Sequence, residues 1–407
     1  MKNIIKLIVI TALTILAVNA FADDKNVNNE AIQKEINEIK QRLAELENIK
    51  ETNESKEPAE LGRITDKITL NGIIAGAYQY ESAKDRPGAK DFGRGAVPIQ
   101  LELSIKPAKN DLVFMKFGFS AGNGLNTDDH SFALAPWAAS LEDDVRDING
   151  RNRDYLLAAW YKHTFVLNDS HTIGITGGII DATDYLDDNK YANDEYTQFM
   201  NGALVNGPNT FLPSYDIGGA MEWEMGKLAV KGVIMQIGEN DEGKSYHFYG
   251  AQVGYTIDTP LGEGTYRVMF DATSDKFSDT DGRHEEALKG CIISFDQELG
   301  DIFGAWIRFG WSDDNAIIDF QDLYSGGIDI KGKLWGREQD NAGIGCAYLK
   351  GGNHEIENSQ VAEAYVRIGL NEIFSTTFDL QYLKDNHKNS TDDVKGWVSS
   401  IRMTAEF

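Results

Sequence analysis

Between Ala96 and Pro107 the chain alternates in type. Val97, Ile99, Leu101, Leu103 and Ile105 are apolar, while Pro98, Gln100, Glu102, Ser104 and Lys106 carry the opposite face. A period of two describes a strand that is apolar on one side and polar on the other. The same split holds at 68–81, where Ile68, Leu70, Ile74, Tyr78 and Tyr80 oppose Lys67, Thr69, Asn71, Gln79 and Glu81, and at 264–272, where Tyr266, Val268 and Phe270 oppose Arg267, Met269 and Asp271. Followed along the chain, the pattern predicts sixteen strands, near 68–81, 96–106, 111–120, 154–165, 171–180, 214–224, 226–237, 245–257, 264–272, 289–297, 302–311, 324–334, 341–350, 361–370, 375–383 and 396–407.

The connections alternate as well. The odd-numbered ones, 82–95, 121–153, 181–213, 238–244, 273–288, 312–323, 351–360 and 384–395, read as mostly long, and those between them as short. In an up-and-down antiparallel sheet this sorts long loops to one end and tight turns to the other, as in an outer-membrane barrel. Sheets in lipid must close, because an open edge leaves backbone groups unpaired in hydrocarbon. The expected fold is therefore all-β: a sixteen-stranded antiparallel transmembrane β-barrel over 63–407, with a polar inner face around a wet lumen. Tyr78, Tyr80, Tyr155, Tyr161, Trp223 and Trp311 fall where interfacial girdles belong. Cys291 and Cys346 lie on strands ten and thirteen, which are not neighbours; both have the outward phase, so two unpaired thiols facing lipid are expected.

Two segments precede the barrel. Residues 1–22 carry Lys2 and Lys6, an apolar run from Leu7 to Val18 and Ala20-Phe21-Ala22, the three parts of a secretory signal peptide cleaved before Asp23. In 23–62, Ile32, Ile36, Ile39, Leu43 and Leu46 step by four and three, which predicts a short coiled-coil-like periplasmic helix followed by a polar linker. That helix reads equally as part of a homotrimer or a cell-wall contact, and as a lone amphipathic helix on a tether.

Charge narrows the partners. The 407 residues hold 39 Lys+Arg against 64 Asp+Glu, a net charge of −25, and removal of the leader takes away two cations and no acid. Such a chain repels polyanions, so no nucleic acid is expected. The seven histidines are scattered without zinc spacing or a nucleophile motif, so no catalytic residue, metal or cofactor is assigned. Asp187-Asp188-Asn189 with Asp194-Glu195 offers oxygen ligands for Ca²⁺, but not at EF-hand spacing.

Several ordered motifs carry a family resemblance. Residues 181–218 have an Asp/Asn-rich start, an Ala192-Asn193-Asp194 core and a Gln198-Phe199-Met200-Asn201 close, then Pro213 and Gly218. They are followed by Ala305-Trp306-Ile307-Arg308-Phe309-Gly310-Trp311, Gly336-Arg337-Glu338-Gln339-Asp340, Glu363-Ala364-Tyr365-Val366-Arg367 and Asp379-Leu380-Gln381-Tyr382. Over about 110–407 the chain resembles the carbohydrate-selective porin (OprB-like) family of bacterial outer membranes. It departs from the family at Lys384-Asp385-Asn386-His387, where an Asn-Pro-Gly often stands. The terminal Phe407, closing an alternating strand, resembles the signal read by the barrel-assembly machinery.

The resemblance implies passive diffusion of carbohydrates, mono- or disaccharides, through a pore constricted by infolded loops, in contact with outer-membrane lipid and lipopolysaccharide. A polyol path wants paired donors and acceptors beside aromatic faces. The second long loop supplies Asp143, Asp144, Arg146, Arg151 and Arg153; the third supplies Asp181, Asp184, Asp187, Asn193, Asp194, Glu195 and Gln198. Arg267, Arg308, Arg367 and Arg402 have the inward phase and are expected to form a positive wall opposite the acidic loop, or else to pair with Glu222, Glu363 and Asp379 and stiffen the barrel. Trp160, Trp306 and Tyr365 share that phase as candidate stacking faces. Two other readings stay open at this point: a receptor-like barrel for a scarce ligand such as a siderophore, and a structural barrel that tethers the envelope.

Overall fold

The computed structural model describes residues 67–85, 90–127, 129–151, 153 and 155–407; the expected leader at 1–22 and heptad segment at 23–62 lie outside them. Sixteen antiparallel strands close into one barrel. They are β1 (Ile68–Lys84), β2 (Phe92–Ile105), β3 (Asp111–Ala121), β4 (Leu156–Asn168), β5 (His171–Ile180), β6 (Asp216–Met225), β7 (Leu228–Ile237), β8 (Tyr246–Thr259), β9 (Gly262–Thr273), β10 (Lys289–Leu299), β11 (Phe303–Ser312), β12 (Phe320–Lys331), β13 (Asn341–Gly351), β14 (Ile356–Gly369), β15 (Phe374–His387) and β16 (Val394–Glu406). Each strand pairs with its chain neighbours, and β16 closes on β1 from Ile73 opposite Glu406 to Lys84 opposite Lys395. A two-residue ribbon, Phe277–Ser278 with Glu285–Glu286, sits in the loop after β9.

The period-two pattern sorts side chains as expected. Tyr78, Tyr80, Tyr161, Trp223 and Trp311 are exposed on the outer face, with Ile234, Phe270, Trp397 and Met403. The inner face buries Gln79, Glu81, Arg267, Ser294, Asp296, Arg308, Glu363, Asp379 and Arg402. Both cysteines are unpaired, Cys346 exposed and Cys291 half-buried, in the outward rows of β13 and β10.

The structure corrects the loop lengths. β14, β15, β16, β1 and β2 run several residues past their expected ends on the long-loop side, so the connections there shrink to 352–355, 388–393 and 85–91. At the other end the turn 332–340 is longer than expected. Only 122–155 (loop 2), 181–215 (loop 3) and 274–288 stand out as long. The strand extensions have a packing cause. Their upper inner faces carry Ala83, Ile356, Val361, Leu383, Val394 and Val398, which form one buried cluster with Leu349 of β13 and with Leu125, Phe132 and Leu134 of loop 2. Apolar surface facing inward is removed from water there by an infolded loop, and the sheet continues as far as that cover does.

An outward row that faces hydrocarbon fixes the sign of a substitution. Ile234→Arg, on the lipid-facing row of β7, is expected to cost up to about 2–4 kcal/mol in denaturant unfolding from vesicles, depending on its depth. A similar loss in detergent-free water, or none in lipid, would contradict this orientation.

Candidate functional site

Loop 3 folds into the lumen because its own polar side chains close local turns. Asp181 Oδ1 accepts from Thr183 N at 2.9 Å and from its hydroxyl at 2.7 Å. Asp194 accepts from the backbone N–H groups of Tyr196 and Thr197 at 2.8 and 3.1 Å. Asn201 caps the short helix α2 (Gly202–Val205) through Ala203 N at 2.9 Å. Gln198 Oε1 accepts from Asn193 N at 2.9 Å, and Asn193 Oδ1 accepts from Asn206 Nδ2 at 3.0 Å. Short Asp and Asn side chains satisfy backbone donors that no helix or sheet would reach.

The barrel wall then takes the remaining loop groups. Arg308, with no exposed surface, donates Nε to Asp187 Oδ1 (2.8 Å), Nη1 to Leu204 O (3.0 Å) and Nη2 to Ala192 O (2.6 Å). Arg402, equally buried, donates Nη1 to Glu195 O (2.7 Å) and Nη2 to Gln198 O (2.9 Å). Glu363 accepts from the N–H groups of Met200 and Asn201, the latter at 2.9 Å, and Gln381 bridges Asn201 and Asp379 at 3.0 and 3.1 Å. Arg267 pairs with Asp296 on the wall and with Asp188 of the loop at 3.2 Å. The positive wall expected to stand across the lumen from an acidic loop is instead in contact with that loop. A buried guanidinium needs acceptors for its donors, and loop carbonyls supply them.

Missing side chains make room for this docking. A Cβ at Gly343 would run into the Tyr365 ring, at Gly304 into Tyr191, at Gly310 into Asn209 and at Gly250 into Leu186. Phe199 sits edge-on to Trp306 and Tyr365, with ring centroids 5.7 and 5.1 Å apart. These two expected stacking faces are thus covered by the loop. Trp160 stacks on Phe114 at 4.8 Å and keeps part of its surface exposed.

Loop 2 is a second infold, seated by Trp137 rather than by the charged residues expected of it. Trp137 is fully buried among Ala75, Ala77, Ala96, Leu141 and Met200. Ala138 N donates to Met200 O (2.8 Å) and Gly202 N to Ala135 O (3.1 Å), which laces the two loops together. Of the expected loop 2 residues, Arg151 Nε pairs with Asp216 at 2.9 Å and Arg153 donates to the Tyr215 carbonyl. Asp143, Asp144 and Arg146 lie exposed on the helix α1 (Glu142–Arg146), where Asp144 accepts from Leu141 N at 2.9 Å and Arg146 meets Glu142 at 2.7 Å. Arg367 stands apart from loop 3, bonded to Ser375 at 3.0 Å and paired with Glu406.

Part-exposed charges remain on the β2–β7 sector. Lys116 lies 3.5 Å from Glu102 and 3.9 Å from Asp184, Lys162 pairs with Glu222, and Lys231 lies 3.2 Å from Asp188. The lysines were not singled out from sequence; their inward phase was the available signal. Burial, reinforced by Asp194, raises the Glu195 carboxyl to about 8, and burial with Asp184 raises that of Asp181 to about 6. Asp188 is held below its ordinary value: burial opposes this, but Lys231 and Arg267 outweigh it. Among the described residues no His, Cys, Asp and Glu side chains gather as a metal site.

Breaking one partner of a buried ion pair leaves the other uncompensated. Arg308→Ala is expected to destabilise by about 3–5 kcal/mol. The double change with Asp187→Asn should recover part of that in denaturant unfolding, and a fully additive pair would contradict the assigned contact.

Residues 117–407 match the carbohydrate-selective porin, OprB family. An uncharacterized protein of Aquifex aeolicus (strain VF5) is 31% identical over 302 residues, which span 72% of this chain and 83% of that one. The high pH structure of Pseudomonas putida OprB superposes with a TM-score of 0.67 at 11% identity, covering 86% of this chain and 96% of that chain. The low pH structure of the same protein gives 0.54 at 12% identity, covering 85% and 95%. The closed barrel, the infolded loop 3 and a family match over residues 117–407 agree, and the protein belongs to the OprB family of carbohydrate-selective porins.

Proposed function

We propose that the chain lets mono- or disaccharides diffuse passively across the outer membrane, through a wet lumen narrowed jointly by loops 3 and 2. The observation that carries this reading is the division of labour among the inward polar residues. Arg308, Arg402, Glu363, Asp379, Trp306 and Tyr365 are spent on holding loop 3, along with Asp187, Asn193, Asp194 and Gln198 of the loop itself. Solute contact falls instead to Glu102, Lys116, Trp160, Lys162, Glu222 and Lys231 on the wall, and to Asp184, Asp188 and Glu195 on the loop. Carboxylates and ammonium groups close together offer acceptors and donors in pairs, which suits vicinal hydroxyls, and Trp160 adds an apolar face for a ring. Asp181 lies buried behind this set, and Arg267 steadies Asp188 from the wall.

Planar-bilayer recording of the reconstituted full chain tests this reading. Reversible reduction of the ionic current by a mono- or disaccharide is expected, and no block by any sugar at millimolar concentration would end it. Lys116→Ala should weaken the block with a smaller loss of stability than that expected for Arg308→Ala.

The raised carboxyls also give the current a pH dependence. Asp181 and Glu195 are neutral below their values of about 6 and about 8 and negative above them, so cation preference rises across that interval. Between the ordinary carboxyl value and the raised one, the docked loop binds more protons than a released loop. Docking therefore weakens as pH rises. Reversal potentials in a salt gradient should become more cation-selective from about pH 5 to about pH 9 as these groups ionise, with noisier open-channel current at the upper end. A flat profile would contradict both assignments.

A further inference from the structure

Loop 3 carries the half-buried Glu195 on a segment that is gripped from two sides. From the wall, Arg402 binds the carbonyls of Glu195 and Gln198 at 2.7 and 2.9 Å. From loop 2, Trp137 Nε1 donates to the same Glu195 carbonyl at 2.9 Å. The indole is itself immobilised. Asn126 Nδ2 donates to the Trp137 carbonyl at 2.7 Å, and the Pro136 carbonyl accepts from Gln79 and Gln381 at 3.3 and 2.9 Å. The ring lies 6.4 Å from that of Tyr196, at 73°, in a recess left by Ala75, Ala77 and Ala96 on the inner faces of β1 and β2. Ordinary packing would account for a buried tryptophan. It does not account for its one polar atom meeting the carbonyl of the residue whose carboxyl group lies among Asp194, Asp181 and Lys116.

We infer that Trp137 is a positioning residue for the pore: its N–H, acting with Arg402, fixes the depth at which loop 3 holds the Glu195 carboxyl group beside the permeating solute. The groups that face this carboxyl are Asp194 and Asp181 on loop 3 and Lys116 on β3, with Tyr196 and Tyr215 packed close by. Only Lys116 among them is cationic. When Glu195 is ionised the set is therefore net negative, and a small displacement of the carboxyl group changes how strongly cations are favoured over anions. Neutral sugars sense that charge weakly, so Trp137 governs discrimination among solutes by charge. The inference rests on the proposed pore, but its readout is ionic and does not require sugar block.

The test compares cation-to-anion permeability ratios of the full-length channel in bilayers, from reversal potentials at about pH 6 and about pH 9. Glu195→Gln should lower the ratio at the higher pH by about twofold or more and leave it nearly unchanged at the lower one. Trp137→Phe keeps an aromatic ring and removes the donor. It should move the ratio and its pH midpoint, and it should add nothing further in the Glu195→Gln background. If Trp137→Phe does not fold to a heat-modifiable barrel, replacing the indole with its benzothiophene isostere removes the N–H while conserving shape. Wild-type ratios in a folded Trp137 variant, or additive effects with Glu195→Gln, would overturn the inference. An unchanged ratio in Glu195→Gln would overturn it as well. Absence of sugar block with these ionic effects present would instead count against the carbohydrate reading alone.

Discussion

A loop can enter a barrel only if its backbone finds partners there. Unpaired peptide groups cost of the order of a hydrogen bond each when buried, and thirty or so residues of loop would carry many of them. This constraint organises the protein's interior. Arg308 and Arg402 between them take five loop carbonyls, and Glu363 takes two loop N–H groups. The inner wall is polar for two reasons at once: it faces water where the lumen is open, and it faces peptide groups where the lumen is filled. The lysines of the β2–β7 sector serve the first role and the buried arginines the second. The guanidinium fork suits the second role because it can bind several carbonyls from one position, which an ammonium group cannot do in the same fixed plane.

Shape follows from the same docking. The lumen face around β8 to β13 is thinned by glycines at 250, 304, 310, 343 and 345, each against an atom of loop 3. Loop 2 finds a comparable recess over the alanines of β1 and β2. Each infold thus has a seat of small residues and a set of long polar residues around it. The narrowing is a property of the assembled wall and loops together, and neither part would keep its geometry alone.

The strand count, the face of each strand, the outward cysteines and the place of the two major loops could all be read from alternation and loop length. Those are local patterns, repeated often enough to average out errors at the ends. Strand ends above loop 2 were misjudged because Leu383 and Val398 break the expected polar inner face, and their reason is Phe132 and Leu134, far away in sequence. The roles of the arginines were half legible. Their inward phase was correct, but phase cannot say whether a side chain meets water or another segment. Arg308 and Lys116 have the same phase and opposite surroundings, and only the path of loop 3 distinguishes them. Trp137 carried no periodic signal at all, since it lies in irregular chain between strands.

The attachments of loop 3 also impose an order on assembly. The loop leaves the chain after β5, yet it is held by Glu363 on β14, Gln381 on β15 and Arg402 on β16, residues more than 160 positions later. Until the last strands are in the sheet and β16 has met β1, these holding groups do not exist around the lumen. The seat of loop 3 is therefore completed by the C-terminal strands, and the calibre of the lumen depends on them as much as on the loop itself. Residues 195–198 are held by Arg402 of the last strand together with Trp137 of loop 2, so one short stretch ties the first part of the barrel to its end.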